Sequence, residues 1–461
     1  MATFDSPNSA SRPESSERFR PKLGRSTIVT GGIRLGSIAL SFLFFVALAR
    51  ATSAETFGVF SFIFAMTMIL GYFANIGQHV AILRFWPAIE DRYGSAVADK
   101  MLGTSMQLVA IGSSLTALAV SAFGLNSYAV SAAGGDAKVL FLAGVLTLTF
   151  VLAEFAAGAL RAKGHIVAAL APRDIIWRVL VIISTLILPG PLSAPQVLGL
   201  ISILLALACM PQFIMLGRDV WRHRSAMLPA AEYEKLRKAT PVLWASTSTT
   251  PVMEHAATVV VGLALGPTAA GAYFAADRLA KLLLVALTSV EQVVAPQISR
   301  SYHAGDIELT KKIVSNASVI AFGVAILGAI CYVTMGRFAL YIFDPSYIFA
   351  YPILLTLVIG QLFNTLCGTN AMLLNMAGKE RPLLAIRIVG GGLAVGLGFV
   401  GAITFGVWGA AVASTIVLIG WNISAVLVCR YTLGIWTIFL FEPPQGMGSW
   451  LRNNFVRKRW K

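Results

Sequence analysis

Apolar residues in this chain come in runs about as long as a bilayer is thick, and polar residues collect between them. A hydrocarbon core of about 30 Å calls for about 20 helical residues at ~1.5 Å each. Windows of that length pick out twelve runs, at 27–49, 57–77, 102–123, 139–160, 174–191, 196–217, 240–264, 269–295, 313–335, 350–377, 382–403 and 407–429. Each predicts a membrane-spanning helix. The intervening gaps are short. Gly124–Ala137 and Gly336–Phe349, the longest on one side, have room for a turn or a surface helix but not for a domain. On the other side Arg218–Ala239 reads as a charged connector with six runs before it and six after.

Charge gives these elements a direction. Of 36 Lys and Arg residues, 28 fall in the N-terminus, the even-numbered gaps and the C-terminus, whereas the odd-numbered gaps hold only Arg50, Lys138 and Arg337. Cytoplasmic loops retain Lys and Arg, so both termini are expected inside. The net charge of +15 then belongs to one membrane face, with no nucleic-acid partner implied. Charged residues are 12% of the chain, about half the share of a soluble domain, which leaves an all-α polytopic membrane protein as the fold class. The expected division is a disordered cytosolic N-terminus (1–25), a six-helix bundle (26–217), a cytosolic linker (218–239), a second six-helix bundle (240–432) and a tail (433–461). The first apolar run is too long for a signal-peptide core. The tail mixes Trp450, Phe455 and Trp460 with Arg452, Arg457, Lys458 and Arg459, a composition suited to lying on an anionic leaflet. Cys209, Cys331, Cys367 and Cys429 stand singly in or beside apolar runs, as small buried residues, and match neither a metal nor a disulfide spacing. No metal or cofactor is expected.

The two sets of six runs resemble one another. Gln78-x-Val80-Ala81 recurs as Gln292-x-Val294-Ala295, Gly58-Val-Phe60 as Gly271-Ala-Tyr273, and Gly164 as Gly378, all at offsets of 213 or 214. An even number of helices per repeat makes the repeats parallel, and transporters so built place the substrate site between their halves.

Charges inside the runs cost about 2.5–3.5 kcal/mol each at a span's centre, so depth separates the unusual ones from the ordinary. Arg178 and Arg387 lie a few residues from run ends, where snorkelling explains them. Arg34, Arg278 and Lys281 lie deeper. One reading has these three facing a water-filled cavity as fixed positive charge for an anionic substrate. The other pairs them with the intramembrane acids Glu154, Glu254, Asp277 and Glu291; Asp277 and Lys281 have the i, i+4 spacing of a helical ion pair. His255, beside Glu254, is a candidate for proton coupling or for a neutral interhelical hydrogen bond. Nucleotide-binding loops, paired hydrolytic carboxylates and zinc motifs are missing, so the chain reads as no enzyme, driven by an ion gradient, the membrane potential or a substrate gradient.

Longer stretches carry a resemblance. Val260-Val-Gly-Leu-Ala-Leu-Gly-Pro-Thr-Ala-Ala-Gly-Ala-Tyr-Phe-Ala-Ala276 followed by Ala295-Pro296-Gln-Ile298, with Glu55-Thr-Phe-Gly58-Val-Phe60, Asn375-Met-Ala-Gly378-Lys379 and Phe405-Gly406-Val-Trp-Gly409-Ala-Ala411, resembles the Wzx-like polysaccharide flippases of the multidrug/oligosaccharidyl-lipid/polysaccharide (MOP) exporter superfamily. The resemblance covers about residues 25–432. It implies twelve transmembrane helices in two MATE-like six-helix bundles around a central cavity, working by alternating access. It also implies export of polyprenyl-pyrophosphate-linked oligosaccharide across a bacterial inner membrane for O-antigen, capsule or exopolysaccharide, with a polysaccharide polymerase and a chain-length regulator as partners. Basic residues line the cavities of such flippases, which suits Arg34, Arg278 and Lys281. Many relatives carry an Asp in the seventh helix near the place of Glu254-His255, so their ion coupling does not transfer directly. The alternative is an ion-coupled small-molecule or multidrug antiporter of the same superfamily.

Overall fold

A computed structural model describes residues 25–126, 130 and 134–439, with side chains from residue 36 onward. Secondary structure among the described residues is helical, apart from one isolated bridge between Thr52 and Leu192. In chain order the helices are α1 (Arg25–Arg50), α2 (Ala54–Ala74), α3 (Gln78–Tyr93), α4 (Ser95–Ala122), α5 (Ala137–Ala162), α6 (Ile166–Ala171), α7 (Trp177–Ile187), α8 (Ala194–Arg222), α9 (Ala230–Leu265), α10 (Pro267–Lys281), α11 (Leu284–His303), α12 (Ile307–Phe343), α13 (Tyr351–Cys367), α14 (Asn370–Met376) and α15 (Glu380–Leu433). The N-terminal segment before residue 25 and the tail beyond residue 439 lie outside the described residues.

Seven helices among the described residues are long and apolar enough to cross a membrane, or eight if α10 and α11, bent by 43°, form one span. Part of the shortfall from twelve runs has physical causes. Run 174–191 is interrupted by a π-helical segment, Pro172–Ile176, before α7. Run 240–264 sits in α9, which also carries Pro241, Pro251 and Glu254 and is therefore less apolar. The last two runs lie together in α15, whose 54 residues would reach about 80 Å if straight, far beyond a ~30 Å core. It is not straight: Gly406 leaves helical geometry at φ 66°, ψ −152° and folds the chain back.

Run 269–295 was expected as one helix, and it breaks at Leu282–Leu283. The Tyr332 hydroxyl on α12 donates to the Leu279 carbonyl at 2.5 Å. The Leu283 N–H, which a continuous helix would place on that carbonyl, bonds Ala280 O at 3.2 Å. A side chain inserted into the hydrogen-bond ladder is a recognised cause of a kink.

The repeated sequence elements have matching geometry. Gly164 and Gly378 both take positive φ (82° and 71°). Behind each the same turn closes its helix, His165 N–H to Leu160 O at 2.9 Å and Lys379 N–H to Leu374 O at 2.8 Å. This is the pairing of a Schellman-type helix end, in which glycine bears the left-handed residue without strain. Gly58 on α2 and Gly271 on α10 meet each other. A Cβ on Gly58 would stand 2.0 Å from the Pro267 carbonyl oxygen, and one on Gly271 would stand 3.0 Å from the Gly58 Cα. Small residues let two backbones approach this closely where no hydrophobic force drives helices together.

Around that crossing the helices before residue 222 are tied to those after 230. Arg50 donates from Nε to Ile342 O at 2.6 Å and from Nη2 to Tyr341 O at 2.8 Å. The Tyr347 hydroxyl donates to Ala54 O at 3.0 Å. Phe45 meets Phe274 edge-on at 5.0 Å, and Phe57 touches Phe343 and Tyr347. Further along, the Trp244 indole donates to Phe73 O at 3.0 Å. Cys209, Cys367 and Cys429 are buried as expected, whereas Cys331 is exposed on the outer side of α12.

Candidate functional site

The site grows from the last turns of α10. Tyr273, Asp277 and Lys281 recur every fourth residue and so share one helix face. Lys281 Nζ donates to Asp277 Oδ2 at 2.7 Å and to the Glu254 carbonyl of α9 at 2.8 Å. The Tyr273 hydroxyl lies 3.0 Å from Ser414 Oγ on α15. A cation in the last turn also faces the negative end of the helix dipole, which favours it there.

These groups open onto a cavity of about 260 Å³. Glu254 lines it from α9, Asp277 and Lys281 from α10, Gln361 and Asn364 from α13, and Arg387 and Trp421 from α15. Its walls all come from residues 250–421, so this cavity lies within the second set of helices. Its charged lining consists of two acids and two bases, in place of the purely positive chamber that cavity cations alone would make. Arg387, assigned to snorkelling by depth, is part of this wall.

The other sequence candidates fall elsewhere. Arg278 follows Asp277 by about 100° of helix rotation and turns away from the cavity. Its Nη2 is 3.2 Å from His255 Nδ1, and its guanidinium lies over the rings of Phe274 at 4.5 Å and Phe45 at 5.5 Å. Its Nε is buried without a hydrogen-bond partner and sits 4.0 Å from Asp277 Oδ2. His255 is thus buried between α9 and α10, with Phe64 edge-on. The Arg34 side chain lies outside the described residues. Arg178 donates to the Asp174 carbonyl and covers the Trp177 ring at 4.9 Å.

Glu154 belongs to a separate polar centre. On α5 it pairs with Arg173, which reaches back from the π-helical segment and also holds Asp174 at 2.9 Å. Glu154 is 5% exposed, so the pair leaves no carboxylate stranded in an apolar wall. His79 nearby bonds Asn75 Oδ1 at 2.8 Å. Sequence reasoning counted Arg173 as a loop cation and missed this pair. A signal was present: Arg173 precedes Arg387 by 214 positions, the same offset that separates Gly164 from Gly378.

With this geometry in hand, comparisons add a family and a fold. A family model described as polysaccharide biosynthesis protein matches residues 23–302. No curated protein matches. Among solved structures, an inward-facing multidrug resistance MATE family transporter of the MOP superfamily aligns at 14% identity over 88% of this chain and 98% of its own, with a TM-score of 0.66. The lipid II flippase MurJ, in an inward closed conformation, aligns at 14% over 87% of both chains, with a TM-score of 0.68. A MOP superfamily transporter from Pyrococcus furiosus, described by the reverse polarity of its binding pocket, aligns at 14% over 88% and 94%, with a TM-score of 0.61. At such identities the likeness is one of fold.

Proposed function

The chain belongs to the polysaccharide biosynthesis protein family, and from that premise we propose that it is an alternating-access transporter of polyprenyl-pyrophosphate-linked oligosaccharide. On this reading twelve helices form two bundles, 26–217 and 240–432, joined by the linker 218–239, with both termini on the cytosolic face of a bacterial inner membrane. A sugar chain cannot cross hydrocarbon unaided, because its hydroxyls would lose their water partners. A laterally open protein lets the lipid tail stay in the bilayer while the head enters. Lys281 and Arg387, cations on one cavity wall, are the observation that supports a pyrophosphate ligand. A cavity of about 260 Å³ suits a pyrophosphate better than an oligosaccharide, so the glycan occupies space that opens as the bundles rock. Arg34 and Arg278 serve the same head group only in another state of the cycle.

A second reading has its own support. Glu254 and Asp277 on the same wall, the small volume, and the multidrug transporters among the similar folds all favour an ion-coupled antiporter for small organic cations. One deletion strain separates the two. Complementation with Lys281→Ala or Arg387→Ala should fail to restore surface polysaccharide while the protein stays in the membrane. Normal polysaccharide in the deletion strain, together with drug sensitivity, would overturn the first reading in favour of the second.

A further inference from the structure

We propose that Asp277 is a built-in competitor for the anionic group of the cargo: it holds Lys281 while the cavity is empty and reclaims it to release what has been carried. The inference rests on the anion-binding reading of the cavity above. An ammonium has three N–H donors. Asp277 Oδ2 and the Glu254 carbonyl engage two of them, at 2.7 and 2.8 Å, which leaves one for a ligand. The Lys281 side chain is 22% exposed and that of Asp277 only 10%, so an arriving anion meets the cation first.

Every charge facing Asp277 fits this arrangement. From its own helix come Lys281 and, at 4.0 Å, Arg278. From α9 comes Glu254, with His255 set against Arg278 and off the cavity, and from α15 comes Arg387, which shares the cavity with Glu254. The cavity wall itself carries two acids, Glu254 and Asp277, and two bases, Lys281 and Arg387, so its formal charges balance when empty, with Arg278 lying behind it against His255. A cation left bare in a poorly hydrated wall would be costly, and it would also hold a phosphate too firmly to let it go. A carboxylate one helical turn away solves both problems. It screens Lys281 before loading, swings off when the stronger dianion arrives, and returns as the head group leaves. The i, i+4 spacing with the acid first keeps both exchanging side chains on one helix.

The test uses the full-length chain in detergent micelles. The probe is UDP-glucose, a soluble pyrophosphate esterified at both ends and carrying a sugar, titrated by calorimetry. Turnover is read separately, as surface polysaccharide restored to a deletion strain. Asp277→Asn should bind the probe more tightly, by about 5- to 150-fold on the scale of ordinary coupling free energies, while restoring less polysaccharide than wild type. Asp277→Glu should resemble wild type in both, and Lys281→Gln should lose binding. Equal or weaker binding by Asp277→Asn would overturn the competitor role, since a merely structural acid weakens the site when removed. The anion site itself would still stand if Lys281→Gln had lost binding. Wild type without affinity for the probe, or Lys281→Gln binding as well as wild type, would remove both this proposal and the reading it rests on.

Discussion

Substituting Gly58 by Ala puts the crossing of α2 and α10 to a direct test. The added Cβ would stand 2.0 Å from the Pro267 carbonyl oxygen and 2.4 Å from its carbon. Ordinary contact begins at 3.4 Å, so one backbone must retreat from the other by about 1.4 Å. Both obstructing atoms are main chain and cannot rotate away. Overpacking of this kind costs about 1–3 kcal/mol where the contact persists. If the crossing exists only while this end of the molecule is closed, the same energy shifts the closed–open equilibrium by about 5- to 150-fold toward open. Spin labels at Leu125 and Phe349, both exposed, with Cys331 replaced by Ser, would report the separation by pulsed dipolar spectroscopy. The expected result is a longer-distance population that wild type lacks. Gly271→Ala should act more mildly, because its Cβ first meets the Tyr347 hydroxyl at 2.5 Å, and a side chain can move. An unchanged distance distribution in Gly58→Ala, with unchanged thermal stability, would refute the idea that this contact holds the end shut.

Two further outcomes follow from the ion pairs. Removing one partner of Glu154–Arg173, as Glu154→Gln or Arg173→Gln, should cost about 3–5 kcal/mol by stranding the other charge, whereas the double variant should cost less than either alone; additive losses in detergent thermal unfolding would deny the coupling. At the start of α9, a hydrogen bond from Lys235, reinforced by the charges of Lys235 and Arg92, holds the Glu232 carboxyl below its ordinary value of 4.5. A depressed carboxylate contributes stability above its unfolded value and loses it as pH falls through the folded one. Wild type should therefore exceed Glu232→Gln in melting temperature at pH 7, with the gap closing below about pH 4.5; a gap that did not change with pH would contradict the assignment.

Hydropathy made the helical, membrane-spanning class legible, because lipid-length apolar runs call for helices, although seven or eight helices among the described residues, and not twelve, are long and apolar enough to cross. The local pairing of Asp277 with Lys281 was legible too, since it depends on spacing within one helix. What sequence could not give was direction between helices. Arg278 and Lys281 are three residues apart in the middle of one apolar run, yet one turns to His255 and Phe45 and the other to a cavity. Which face meets the cavity is decided by α13 and α15, which begin 70 and 99 residues after Lys281. The break at Leu282–Leu283 was hidden for the same reason, as its cause is the Tyr332 hydroxyl of another helix. Arg387 was misjudged because depth was counted from the run end alone, and depth does not reveal a neighbouring hollow.

The placement of these features on one helix has a mechanical consequence. Gly271, at the crossing with α2, and Lys281, at the cavity wall, are ten residues apart on α10, or about 15 Å of uninterrupted helix. Residues 270–277 between them are all buried, so α10 has little freedom to bend within that length. Its freedom lies just beyond, at the Leu282–Leu283 break, where α11 departs at 43°. A rigid segment with a joint at one end transmits displacement. On the proposed alternating-access cycle, parting of the end that bears Gly58 and Gly271 would tilt α10 and move the Lys281 ammonium against the Glu254 carbonyl that anchors it from α9. Of its two anchors, Asp277 travels with Lys281 on α10, whereas Glu254 does not. On the proposed cycle, opening the far end therefore loosens the contact between helices and leaves Lys281 with the partner on its own helix, the arrangement that the proposed release of an anion requires.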